Sequence, residues 1–282
     1  MNEFEPELVT GRAAVEGVLS DAGVHITRTD LSELHQRAPR FFEQLRQGEP
    51  NVVIINADTV GALDVMSLRW MFPAGVTPLV LCPSNPQECA ELAAVAVSAA
   101  KLIPGPVFLL LERPVADAVA IVLPGDEPEL MMPEAGPLDS VMLDGEESEI
   151  AGLYARLAQP PRGLKSAVLE ACPAEMGKPE WLVLAFGSTV APAEQAVTAA
   201  RNEGQRVNLL RVRQLWPFPE AEILRAANGI KHVVVAERNL GQYAGEVRRL
   251  LPELPIVVAG RATGVLTPER ILQRLQRTPR CC

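Results

Sequence analysis

The chain has 282 residues and a formal net charge of -9, with 48% hydrophobic and 22% charged residues. This balance excludes a protein held on DNA or RNA by neutralising phosphates, and no run approaches the roughly 20 apolar residues of a membrane span. The acidic start Met1-Asn2-Glu3-Phe4-Glu5 is the opposite of a basic signal region, so a cytoplasmic protein of two domains is expected.

In chain order, apolar periodicity predicts a helix over Gly11 to Leu19 and another around Gln36 to Gln47, then a short buried strand, Asn51-Val52-Val53-Ile54-Ile55-Asn56. A helical pattern through Leu63 to Trp70 and a strand Pro78 to Cys82 follow. A long helix starts after Asn85, which can cap, with Pro86 where no N–H is needed and Glu88 near the positive dipole end. From Cys89 to Leu102 this helix is apolar nearly all round, so it should be buried on more than one side. Strands Pro106 to Glu112 and Ala118 to Leu123 complete the first half, residues 1–123. Residues 124–149 read as an acidic Pro/Gly linker carrying Met131 and Met132.

The remaining residues, 150–282, alternate more cleanly. Strands are expected at Trp181 to Phe186, Arg206 to Val212, Lys231 to Glu237 and Ile256 to Ala259. Helices are expected at Ala191 to Glu203, Pro219 to Ala227, Gly241 to Leu251 and Pro268 to Leu275. Such βαβ alternation predicts an α/β fold of two three-layer domains with mainly parallel sheets.

Functional candidates lie where these strands end. Gly187, Ser188 and Thr189 open a helix, where backbone N–H groups and a hydroxyl either receive an anion or simply cap. Trp216 and Phe218 stand in the stiff Trp-Pro-Phe-Pro elbow and either seal the chain's own core or fill a partner's pocket. Asn239, Gly241 and Gln242 form a turn whose amides either bond a neighbour's main chain or cap the following helix. Arg261 stands in a glycine-bounded loop, with Glu237 the nearest candidate carboxylate; an internal salt bridge and a ligand contact are both open. Arg270, Arg274 and Arg277 share a helix face at its negative dipole end.

No catalytic residue and no metal site are assigned. His25, His35 and His232 share no spacing, and Cys82, Cys89 and Cys172 are far from any Cys-x-x-Cys pattern. The terminal pair Cys281-Cys282 reads as a frayed tail, with metal or redox chemistry as the alternative.

Five segments resemble, in order and spacing, the alpha subunit of the 2-oxoacid:ferredoxin oxidoreductases. They are Ala185-Phe186-Gly187-Ser188-Thr189, Ala200-Arg201-Asn202-Glu203-Gly204, Leu215-Trp216-Pro217-Phe218-Pro219, Val235 to Gln242, and Gly260-Arg261-Ala262-Thr263-Gly264. The resemblance implies that residues 150–282 are a transketolase C-terminal-like domain. It also implies that residues 1–123, through Pro78 to Cys89 and Gly105 to Leu111, are a shortened relative of the pyrimidine-binding domain of thiamine enzymes.

The implied activity is oxidative decarboxylation of a 2-oxoacid to acyl-coenzyme A. The implied partner is a beta-type subunit with thiamine diphosphate and an iron-sulfur cluster, gamma and ferredoxin-like subunits being further candidates. About Asp30 to Phe72 the chain departs from the family: it is too short, and lacks both the Thr-Ser-Gly-Pro-Gly turn and the acidic helix supplying the glutamate that activates thiamine. Glu16 and Glu43 read as solvated helix faces rather than that glutamate. The resemblance therefore implies a mainly architectural subunit that binds no cofactor alone. The alternatives are an inactive assembly or regulatory pseudo-subunit, and a stand-alone nucleotide-binding α/β module using Gly187, Ser188, Asn239 and Arg261.

Overall fold

The computed structural model describes residues 7–20, 22–57, 65–103, 105–123, 125, 128–132, 146–158 and 160–276. The strands are β1 (Glu7–Thr10), β2 (His25–Asp30), β3 (Asn51–Ala57), β4 (Val80–Leu81), β5 (Pro106–Glu112), β6 (Val119–Val122), β7 (Ala167–Glu170), β8 (Trp181–Phe186), β9 (Val207–Val212), β10 (Gln214–Trp216), β11 (His232–Glu237) and β12 (Ile256–Gly260). The helices are α1 (Gly11–Leu19), α2 (Leu34–Gln47), α3 (Val65–Arg69), α4 (Pro86–Leu102), α5 (Arg113–Ala116), α6 (Glu146–Leu157), α7 (Val190–Asn202), α8 (Glu220–Ala227), α9 (Gln242–Leu250) and α10 (Pro268–Gln276). Contacts divide the chain into two compact units. The first takes the described residues up to Ala57, Ser67–Lys165 and Gln214–Phe218; the second takes Val65 and Met66, Ser166–Arg213 and the described residues from Pro219 on.

The first unit is built on a five-stranded sheet in the order β10-β4-β5-β3-β2. All its pairs are parallel except β10 with β4. Burial on both faces explains the unbroken apolar runs of β3 and β5. Because side chains alternate along a strand, Val107, Leu109 and Leu111 of β5 join the cluster formed by α1 and α4. Phe108 faces the other way and meets Phe41 of α2 edge-on at 5.4 Å. A ribbon of β1 paired antiparallel with β6 lies beside α1 and α4. The helix starts follow the capping rules: the Asn85 side chain accepts from Glu88 N at 2.9 Å, and Thr10 Oγ1 from Ala13 N at 3.1 Å.

The second unit has the sheet order β12-β11-β8-β9-β7, parallel throughout except the edge strand β7. Val183 and Ala185 of β8 pack against α7 and α10. Phe186, on the opposite face, meets Tyr243 of α9 at 4.8 Å. Two covering layers of helix therefore sandwich the sheet.

The structure adds elements that periodicity did not predict. Strands β1, β2 and β7 and helix α6 are short, half-exposed or at edges, where polar and apolar residues mix. Helix α6 goes with the first unit, as does the Leu-Trp-Pro segment, whereas the expected bounds divided α6 between the linker and the second domain and placed Leu-Trp-Pro in the second. Met131 exchanges backbone hydrogen bonds with Arg162 at 3.0 and 2.8 Å, tying that part of the acidic stretch to the first unit. Most of residues 124–149, together with Arg277, Cys281 and Cys282, lies outside the described residues.

Candidate functional site

In the second unit the chain leaves β8 in one direction to β9, and later returns to the opposite side of β8 as β11 and β12. The carboxyl ends of β8 and β11 are therefore the topological switch point, where open α/β sheets form their crevice. The sequence-predicted residues Gly187, Ser188, Thr189, Glu237, Asn239, Gly241, Gln242 and Arg261 all lie along this end of the sheet. Trp216 and Phe218 do not; they belong to the first unit.

The switch point is stitched together by its own side chains. Thr189 is buried, and its Oγ1 accepts from Phe186 N at 3.2 Å. The same hydroxyl lies 2.8 Å from Phe186 O and 2.9 Å from Ala236 O, so it bridges the ends of β8 and β11. Ser188 is half-buried beside it. Thr189→Val, which keeps the shape but leaves these polar groups unpaired, is expected to destabilise the protein by roughly 1–3 kcal/mol in urea unfolding. An unchanged midpoint would show that the stitch is dispensable.

Glu237 is fully buried, and its carboxyl group accepts from Tyr243 N at 2.9 Å and Ala244 N at 3.2 Å. It thus caps the start of α9 from the end of β11, near the positive end of the helix dipole. Burial pushes its carboxyl group above the ordinary range, against the hydrogen bonds from Tyr243, Ala244 and Asn239. Asn239 is also fully buried, and its Oδ1 accepts from Gly241 N at 2.9 Å and Gln242 N at 3.2 Å. Gln242 Oε1 accepts from Leu240 N at 2.9 Å. Gly241, at φ +110°, lets the chain turn this tightly. The oxygens of both amides are therefore used inside the turn and at the helix start.

Arg261 does not pair with the Glu237 carboxyl group. The guanidinium donates from Nε to Thr263 O at 2.7 Å and from Nη1 to Val265 O at 3.5 Å, folding back over Gly264. Only its backbone N–H reaches Glu237, at the carbonyl oxygen, 3.2 Å away. Trp216 is fully buried on β10, 6.0 Å from the Phe218 ring and with the Arg69 guanidinium 5.0 Å from its own ring centre. That is a core-sealing arrangement within the first unit.

Sequence reasoning missed Leu240, an apolar residue in an otherwise polar turn that is 78% exposed, and Val265 beside Arg261, 57% exposed. It read Glu88 only as a residue near the helix dipole and Glu112 only as the end of a strand, although both carboxyl groups are buried. Glu88 accepts from Ser84 N and Oγ at 2.9 and 2.6 Å, and Glu112 lies at the carboxyl end of β5. Glu16 pairs with Arg28, and Glu43 with Arg46 and Gln47, all near the surface. In this chain by itself neither carboxyl group is buried. Cys82 and Cys89 are buried, and desolvation raises the Cys89 thiol to about 12, which removes it from thiolate chemistry. Among the described residues no metal-binding cluster of His, Cys, Asp or Glu occurs, and no helix is long and apolar enough to cross a membrane.

Residues 179–271 match the family described as pyruvate:ferredoxin oxidoreductase core domain II. The 2-oxoglutarate synthase subunit KorA of Methanothermobacter thermautotrophicus is 28% identical over 243 residues, covering 73% of this chain and 62% of that protein. The chain thus spans about three fifths of the length of this relative. Among solved structures, a 2-oxoglutarate:ferredoxin oxidoreductase from Magnetococcus marinus aligns with a TM-score of 0.68 at 16% identity, over 95% of this chain and 56% of that one. A split-gene transketolase, an inactive beta4 tetramer, aligns with a TM-score of 0.56 at 14% identity, over 94% of this chain and 95% of that one. At such identities these two likenesses speak for the fold.

Proposed function

We propose, from the premise that this chain is a relative of the alpha subunits of 2-oxoacid:ferredoxin oxidoreductases and carries their core domain II, that it is a shortened alpha-type subunit of such a complex. The reaction would break the C1–C2 bond of a 2-oxoacid with loss of CO2, form the thioester of coenzyme A, and pass two electrons to ferredoxin or another acceptor. Thiamine diphosphate and the iron-sulfur clusters belong, in this proposal, to a beta-type partner. The contribution of this chain is architectural.

One observation carries the architectural role. The polar groups at the switch point, Thr189, Glu237 and Asn239, are turned inward to lock strand ends and a helix start together. A ligand crevice needs such groups turned outward, so this arrangement also weighs against the stand-alone nucleotide-binding module.

Reconstitution tests the proposal. The purified chain alone should be colourless and bind no thiamine diphosphate, whereas 2-oxoacid-dependent electron transfer should appear only when it joins its partner. Partner subunits equally active without it would make it a pseudo-subunit, and tight nucleotide binding by the isolated chain would replace the proposal altogether. Within the active assembly, Glu112→Gln should leave turnover unchanged. Loss of turnover in an assembly that still forms would place a catalytic carboxyl group in this chain.

A further inference from the structure

At the amino end of the second sheet, β8 begins with Trp181 and β11 with His232, and the two residues are register partners in the parallel pair. Register partners point to the same face of a sheet, so their side chains lie side by side. The two rings stack with centroids 4.5 Å apart and planes inclined by 33°. The same strand starts are joined through Glu180. Its carbonyl oxygen accepts from His232 N at 3.1 Å, and its carboxylate pairs with Arg206 at 2.7 Å and with Lys231.

His232 Nδ1 is enclosed and meets no hydrogen-bond partner among the described residues. A neutral imidazole tolerates this, because the enclosed nitrogen can be the one that carries no proton. An imidazolium cannot, since both its nitrogens carry N–H and the enclosed one would be a buried donor with nothing to receive it. Two attractions oppose this cost: an indole face favours a cation, and Glu180 is an anion close by. The second is already spent. Arg206 and Lys231 hold the Glu180 carboxyl group down at about 2, and Lys231 also repels a further cation. Burial accordingly pushes the His232 imidazole below its ordinary 6.5, with Glu180 acting against the shift and Lys231 with it. On the face that Trp181 shares with α7 and α10, the charged residues at the helix ends are Arg201, Glu203 and Arg274, and the turn before β12 adds Glu253. Arg201 is committed to the carbonyl oxygens of Val207 and Glu170.

We propose that the stacked pair of Trp181 and His232 is an acid-labile latch on the second unit. Neutral, it fastens the starts of β8 and β11 together; protonated, the imidazolium must turn toward water to place its second N–H, and the two strand starts loosen. This inference concerns the chain's own fold and does not rest on the subunit role. Linkage fixes its sign. Because the folded value lies below the ordinary one, the contribution of His232 is fully present above the ordinary value and is lost as pH falls through the folded one. Glu237, at the other end of β11, is shifted upward instead. The two ends of one strand therefore answer acid with opposite sign, the carboxyl end tightening and the amino end releasing.

The chain's only histidines are His25, His35 and His232, so an NMR titration of the full chain has three imidazoles to follow, and His232→Gln assigns the third. The His232 signal should titrate below 6.5 in the wild type and move upward in Trp181→Leu, where the enclosure of Nδ1 is opened. Hydrogen-exchange protection of the amides at 182–184 and 233–235 should fall by about tenfold through the same midpoint, while that of β3 in the first unit holds. His232→Gln should abolish this step, and His25→Gln, an exposed control, should leave it in place. A His232 signal titrating at or above the ordinary value would overturn the inference, as would protection that falls alike in the wild type and in His232→Gln. Should His232→Gln fail to fold, the wild type alone decides: imidazole titration and loss of protection at clearly separate midpoints would sink the latch.

Discussion

Gly260→Val is expected to destabilise the second unit by roughly 2–3 kcal/mol. A Cβ at this position falls 2.6 Å from Asn239 O and 3.0 Å from Val258 Cγ1. The first neighbour is backbone, and it is not free to retreat. Asn239 is pinned by its own side chain to Gly241 N and Gln242 N, and the adjoining Glu237 carbonyl accepts from Arg261 N. The strain must therefore spread into the two loops that carry Leu240 and Arg261. Gly245, inside α9, is the matched control: a Cβ there meets nothing within 4 Å. Gly245→Ala should stabilise by about 0.5–1 kcal/mol, the ordinary gain in helix propensity. Urea unfolding of both variants decides the matter, because similar midpoints would mean that close packing at the β12 terminus is not what the glycine serves.

The second unit was legible because its strands are buried on both faces. Val183, Leu184 and Ala185, or Val233, Val234 and Val235, leave no polar gap, so continuous apolar runs bounded by glycine and proline stand out. The edges were not legible for the complementary reason. His25-Ile26-Thr27-Arg28-Thr29-Asp30 borders the first sheet with one fully sheltered side chain, Thr29, and no hydrophobic period to read. Strand β10 was hidden differently. Gln214 and Trp216 follow β9 almost directly in sequence, yet pair with Leu81 and Val80 in the sheet of the first unit, to which they belong. Only a long-range pairing reveals that, and local periodicity carries no information about it.

At the site, sequence located the residues but not the direction in which they work. Polar residues after strands mark the switch point whether they face a ligand or each other. Thr189, Asn239 and Gln242 all bond main-chain groups of the strand ends and the turn. Among the residues that do face outward is the one that polarity-based reasoning discards, Leu240, 78% exposed. Which way a polar side chain turns is set by the fold, and composition carries no record of it.

Glu237 gives the second large effect, and its sign depends on pH. Burial raises its carboxyl group above the unfolded value near 4.5 more than the hydrogen bonds from Tyr243, Ala244 and Asn239 lower it. The folded state consequently binds this proton more tightly than the unfolded chain. Its contribution to stability is fully present below the unfolded value and is lost as pH rises through the folded one. Glu237→Gln keeps the shape without the titration, but an amide turned to two N–H donors can accept from one and must present its own N–H to the other. At pH 4 the variant should therefore be less stable than wild type by roughly 1–3 kcal/mol, the consequence of a buried donor left unpaired. As the pH rises the wild type gives up its advantage and the gap narrows. Urea midpoints of the two proteins from pH 4 to 8 measure it directly. A gap that widens with pH would mean that the two main-chain donors and the α9 dipole outweigh burial, so that the carboxylate is held ionised and Glu237 acts as a charged cap.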